Sequence, residues 1–207
     1  MNKSLTKKVP IPKSARIKPY YDTKQIKNGV AEINFFPANA TRKVTRDNYI
    51  NNPFPGEDKR RIVGLSFELL KQFIHDDAAN SIDSKQIING IKDAGVVLTA
   101  DNDYKEFLRT TIDRHSNFAG TDFAGAKATA LVGGSVETVT ATTAVLKPAG
   151  MYKLQDPFDV APNQSIDLKV TFADASAFPT DTNWTDSSQG LLFLRATLYL
   201  AEIKAQA

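Results

Sequence analysis

The chain has 207 residues, 42% of them hydrophobic, with a formal net charge of +3; at that length a folded domain buries roughly 70% of its unfolded surface and needs no covalent scaffold. Cysteine is absent, which excludes disulfides, thiolate nucleophiles and cysteine-based zinc sites. No run approaches the roughly 20 apolar residues of a bilayer-spanning helix, and Met1 to Lys18 lacks the apolar block of a secretory signal, so the sequence predicts a product that is soluble as made.

Charge is segregated along the chain. Residues 1–61 hold 14 Lys and Arg against 5 Asp and Glu, whereas residues 62–207 hold 12 against 18. A basic end on an acidic remainder suits a phosphate or an anionic membrane as partner, or docking onto a neighbouring copy, and it equally suits a solvated terminus.

Residues 1–29 read as an extended basic arm. "KKVPIPKSARIKPYY" mixes three prolines with basic and apolar residues and has no helical period, and Pro10 and Pro12 favour extended or polyproline backbone. Lys3, Lys7, Lys8, Lys13, Arg16 and Lys18 all precede the first acid, Asp22, and Tyr20 and Tyr21 follow them at one end. Such a set neutralises phosphates and stacks bases, or ties one subunit to the next. The 18 residues to Lys18 span about 60 Å when extended, enough to cross onto a neighbour.

Residues 30–207 are expected to form one β-sandwich domain with a helical insertion near 70–95. Short β-like runs come first: "VAEINFF" (30–36), "KVTRDNYI" (43–50) and "RIVGLSFEL" (61–69), the last placing Val63, Leu65, Phe67 and Leu69 on one face at period two. "NNPFPGEDKRR" between them is a loop with a basic edge. "SKQIINGIKDAG" reads as a helix with Ile87, Ile88 and Ile91 on one side, Asp83 or Ser84 as N-cap and Gly95 as the stop. Gly90 inside it costs about 1 kcal/mol against alanine.

From residue 96 the chain reads as β: "GVVLTA", "EFLRTTI" and "ATALVGGSVETVTATTAVL", the last with a hairpin turn at Gly133-Gly134. In "SIDLKVTF" (165–172), Ile166, Leu168, Val170 and Phe172 share one side, with Ser165, Asp167, Lys169 and Thr171 on the other. The polar loop 173–190 carries Phe178 and Trp184, which are expected at the rim as contacts. The leucine-rich "GLLFLRATLYLAEIK" (190–204) is a strand, because Leu192, Leu194, Ala196, Leu198 and Leu200 alternate with Phe193, Arg195, Thr197, Tyr199 and Ala201; a helix would scatter them around its circumference.

No residues carry a catalytic or metal signature, and neither an enzyme nor a cofactor is expected. His75 and His115 lack zinc spacing. Asp113, His115 and Ser116 are close in sequence, but no nucleophile elbow surrounds the serine. Asp101, Asp103 and Glu106 fall short of a calcium loop, and no phosphate-binding glycine loop is present.

"NPFPGEDKRRIVGLSFEL", "YKLQDPFDVAPNQSIDLKVTF" and "LLFLRATLYLAEIK", taken with the basic arm, resemble the single jelly-roll capsid protein of a tailless icosahedral bacteriophage, over about residues 30–204. A double jelly roll would need a longer chain. The resemblance implies an antiparallel β-sandwich of jelly-roll type that self-assembles into an icosahedral virion shell in the host cytoplasm. Its partners would be further copies and other capsid proteins, with viral nucleic acid or an internal membrane met through the arm, and no small-molecule substrate. A carbohydrate-binding or host-attachment β-sandwich module of a virion is the alternative, with Trp184, Tyr199 and Asp181 as sugar contacts.

Overall fold

The computed structural model describes residues 15–37, 52, 59–70, 73–75, 83–100, 105–116, 122–132, 135–145, 150–176, 178 and 192–203. In chain order these hold β1 (Ile17–Gln25), β2 (Glu32–Phe35), β3 (Lys59–Leu69), β4 (Phe73–His75), α1 (Ser84–Lys92), β5 (Gly95–Ala100), β6 (Lys105–Thr111), a 3-10 helix (Ile112–His115), β7 (Asp122–Val132), β8 (Ser135–Val145), β9 (Tyr152–Val160), β10 (Ile166–Thr171) and β11 (Phe193–Ile203). The expected strand at 43–50 and residues 1–14 of the expected arm lie outside the described residues.

Eight of the strands nest. β1 pairs with β11, β2 with β10, β3 with β9 and β5 with β6, all antiparallel, so the chain is one long hairpin doubled back on itself. Rolling that hairpin also pairs β3 with β11 and β5 with β10. Two four-stranded sheets result, in the orders β1-β11-β3-β9 and β2-β10-β5-β6. Both line one hydrophobic core, making an all-β antiparallel sandwich.

Crossings between the sheets use the turn chemistry their sequences supply. Between β1 and β2, Val30 N–H donates to the Lys27 carbonyl at 3.2 Å and Gly29 takes φ +77°, a region open to glycine. Between β9 and β10, Pro162 and Asn163 occupy a turn closed by Gln164 N–H to the Ala161 carbonyl at 3.2 Å; Asn163 adopts φ +59°, which asparagine tolerates better than most residues. At this turn, just before "SIDLKVTF", the chain changes sheets.

Period-two burial decides which face is inside. Leu192, Leu194, Ala196, Leu198 and Leu200 are all buried, as are Ile166, Leu168, Val170 and Phe172, each large side chain contributing about 2 kcal/mol of transfer free energy. Phe35 of one sheet meets Phe67 of the other edge to face, centroids 6.4 Å apart. β3 departs from the expected alternation. Its register shifts between Ile62 and Gly64 against both β9 and β11, so Ile62 joins Leu65, Phe67 and Leu69 in the core while Val63, though buried, lies outside that cluster. The extra residue reverses the side-chain parity upstream of it. Gly64 sits beside this bulge, where a Cβ would lie 2.8 Å from Met151 Cγ and 3.0 Å from the Tyr152 carbonyl.

The helix forms as expected, with Ile87, Ile88 and Ile91 buried and the Asp83 carboxylate accepting from Gln86 N–H at 2.9 Å. Gly95 does not end it. The helix stops at Lys92, Asp93 N–H bonds back to the Asn89 carbonyl and Ala94 N–H to the Ile91 carbonyl, and Gly95 already opens β5. Residues expected inside a single sandwich form a third sheet, order β4-β8-β7. β7 and β8 pair from Asp122↔Val145 to Val132↔Ser135, and β4 adds to β8. The two insertions, one between β3 and β5 and one between β6 and β9, thus join each other. His75 ends a strand, not the helix expected there.

Residues 17–25 of the expected arm belong to the sandwich. Ile17–Gln25 is a full strand of the sandwich, paired residue by residue with β11 from Ile17↔Ala201 to Gln25↔Phe193, so the boundary at residue 29 falls inside the fold. β1 brings in Asp22, fully buried, whose Oδ2 accepts from Phe36 N–H at 2.7 Å. Phe36, also fully buried, takes φ +56°, a strained conformation costing about 1–3 kcal/mol for a bulky residue. Asn52 holds its other side: the amide Nδ2 donates to the carbonyls of Phe36 and Ile166, and Oδ1 accepts from Ile166 N–H at 3.0 Å.

Three substitutions check this packing. Asn52→Ala leaves the backbone groups of Ile166 without that partner and is expected to lower the unfolding free energy by about 3 kcal/mol in urea titration. Gly64→Ala forces the Met151–Tyr152 segment outward and is expected to destabilise by about 1–3 kcal/mol. Gly90→Ala places its Cβ 3.6 Å from the Phe178 ring, an ordinary contact, and is expected to stabilise by about 0.5–1 kcal/mol.

Candidate functional site

Of the six basic residues expected as contacts, Lys3, Lys7, Lys8 and Lys13 lie outside the described residues. Arg16 is exposed at the start of β1, its carbonyl accepting from Glu202 N–H at 3.4 Å. Lys18 is an internal partner, its Nζ 2.7 Å from Glu202 Oε1. Nearby, Arg61 is almost fully buried and grips Asp159 through Nε and Nη2; those hydrogen bonds raise its pKa further. The basic end therefore spends part of its charge within the fold.

Phe178 is not a rim contact. It is 2% exposed and packs edge to face on Phe172, centroids 4.8 Å apart. Trp184 and Asp181 lie outside the described residues. Tyr199, on the outer face of its sheet, has its hydroxyl 3.5 Å from Ser66 Oγ.

The open side of the sandwich holds a concave surface. β6 and β9 end the two sheets, and the rings of Phe107 and Phe158 stack across the gap at 5.2 Å, 30° apart. After β6 the 3-10 helix leads to Ser116, which bridges to Phe67 of β3, beyond the point where β9 stops pairing. Between these elements lies a groove of about 480 Å³ lined by both phenylalanines, Thr110, Arg109, Arg114, His115, Lys153, Gln155 and Asp156. Sequence reasoning did not find it, because nearly forty residues of chain separate its two walls.

Charge in this groove runs against that of its surroundings. Arg109 is paired with Glu106, at 3.3 Å through Nε and 2.7 Å through Nη2, which raises the arginine pKa and lowers the glutamate's. Arg114 and Lys153 make no ion pair among the described residues. His115 Nε2 lies 3.2 Å from Thr110 Oγ1, and its buried Nδ1 has no hydrogen-bond partner among the described residues. Burial lowers the His115 pKa below 6.5, with Asp113 opposing and Arg114 adding to the shift. Ser116 is buried and the histidine's bond goes to Thr110, so the Asp113–His115–Ser116 sequence forms no nucleophilic relay.

A second hollow, about 370 Å³, lies beside α1 and includes Asp83, Asp93 and Asp174. Asp83 caps the helix, and Asp174 accepts from Ser176 N–H and Oγ at 2.8 and 2.6 Å, bonds that lower its pKa. No cluster of metal-ligating side chains occurs among the described residues.

Neither a family model, nor a curated protein, nor a solved structure matches this chain. Function must be argued from its own geometry and charge.

His115 supplies a pH test. The unfolded chain takes up a proton near 6.5, and the fold resists doing so until lower pH. Stability is therefore expected to fall as pH drops from 6.5 through the folded-state pKa, and to be free of this loss above 6.5. Histidine Cε1–H chemical shifts followed by NMR should give a midpoint below the ordinary value. His115→Gln should flatten this part of the stability profile.

Proposed function

We propose that this chain is a structural subunit of a virion, a jelly-roll capsid protein that assembles with copies of itself and with other shell proteins. The nested strand order carries the reading: first with last, second with second-last and so on, rolled into two four-stranded sheets. A doubled hairpin rolled in this way is how an eight-stranded jelly roll is built.

Three further features support assembly. The third sheet extends from two insertions outside the sandwich, offering surface without disturbing the nested pairs. The four sandwich edges bear devices that limit indiscriminate strand addition. Pro19 stands in β1, β2 has only four residues, Pro157 lies where β9 is out of register with β3, and β6 carries the exposed pair Glu106 and Arg109. Residues 1–14 bring four lysines and no acid to a chain whose residues 62–207 are acidic, so an arm from one copy has an electrostatic reason to settle on the next. The same charge suits nucleic acid or an anionic membrane inside a shell.

Light scattering and electron microscopy of the purified full chain test the reading. The full chain is expected to form rings, capsomers or shells, and a variant lacking residues 1–14, which retains β1, is expected to melt at the same temperature but to stay small. A full chain that stays monomeric across salt, pH and concentration, or a shortened chain that assembles equally well, refutes the proposal.

A further inference from the structure

We propose that the groove between β6, the 3-10 helix and β9 is a binding site for a carboxylated sugar. Residues 62–207 carry a net negative charge and only 12 Lys and Arg, yet three of these, Arg109, Arg114 and Lys153, line this one groove. Glu106 neutralises Arg109, whereas Arg114 and Lys153 have no carboxylate partner among the described residues. Two cations left open in a concave site call for an anionic group on the ligand, and a guanidinium holds a carboxylate through two parallel hydrogen bonds.

The other lining groups specify what carries that anion. Thr110, Gln155 and Asp156 present a hydroxyl, an amide and a carboxylate to the same space, a set that exchanges hydrogen bonds with ring hydroxyls. His115 lines the groove as well, its Nε2 3.2 Å from Thr110 Oγ1, and burial lowers its pKa, which favours the uncharged imidazole near neutrality. The stacked rings of Phe107 and Phe158 give an apolar patch for the C–H face of a sugar. A volume of about 480 Å³ falls within the range of small-ligand sites. Single-stranded nucleic acid fits less well, because Asp156 in the groove would repel a backbone with one negative charge per nucleotide.

This site is independent of shell assembly, and failure of either proposal leaves the other standing. The test titrates the full chain with N-acetylneuraminic acid and with trigalacturonate, followed by protein-observed NMR, with lactose and a short oligothymidylate as comparisons. At least one acidic sugar is expected to bind saturably, with a Kd of about 1 mM or tighter, and to move the His115 resonance, while lactose binds at least about tenfold more weakly. Arg114→Ala and Lys153→Ala, shown to be folded by their melting curves, are each expected to weaken binding about tenfold. The inference is overturned if neither acidic sugar binds at about 10 mM, if oligothymidylate binds the groove more tightly than both, or if both folded variants keep the affinity of the parent chain.

Discussion

Antiparallel pairing of the first strand with the last is the constraint on which the rest of this protein depends. The Lys18–Glu202 ion pair at its far end joins residues 184 apart, and the pairs β2–β10, β3–β9 and β5–β6 nest within it. Closing so long a loop costs little more than closing one half as long, since the entropy grows with the logarithm of length. The kinetic demand is larger: these contacts can form only after the intervening chain has been gathered, as in other folds dominated by distant strand pairs. β11 meets that demand from the centre of its sheet. It lies between β1 and β3, with four consecutive alternate side chains, Leu194 to Leu200, in the core.

Nesting also settles where the chain can vary. Insertions between β3 and β5, and between β6 and β9, leave each nested pair intact, and the chain uses both positions to build a third sheet. Inside the sandwich the tolerance is far smaller. At Gly64 the Met151–Tyr152 segment approaches closely enough to exclude even a methyl group. The left-handed Phe36 is held from two sides, its N–H by Asp22 of β1 and its carbonyl by Asn52. Buried polar groups of this kind cost stability unless each finds its partner. Here the partners come from three distant stretches of chain, so they bind the corner to the sheets.

The basic end of the chain divides into two parts with different physics. Lys18 and Arg61 meet acids contributed by β11 and β9, and their charge is answered within the fold. Lys3, Lys7, Lys8 and Lys13 precede the first strand and meet no acid until Asp22; it is their charge that the proposed assembly uses. The groove between β6 and β9 inverts this pattern, gathering cations from the acidic part of the chain. A net charge summed over the whole molecule describes neither surface.

What the sequence determined by itself is local. Alternation in "SIDLKVTF" and "LLFLRATLYLAEIK" identified the strands and the side each buries; the isoleucines identified the helix, with Asp83 or Ser84 as its cap. These follow from periodicity and backbone preference, which act over a few residues. Tertiary structure decided what depends on partners. One extra residue at Val63 turned Ile62 inward, a shift that only the neighbouring strands reveal. Ile17–Gln25 reads as arm because Pro19, Lys18 and Lys24 break its pattern, and it becomes strand because β11 offers an open row of backbone groups. Phe178 lies in a polar loop yet is buried, because Phe172 is there to receive it. The groove joins residues 107–115 to 153–158 only through packing of the two sheets, since pairing energy depends on distance in space and sequence patterns record only distance along the chain.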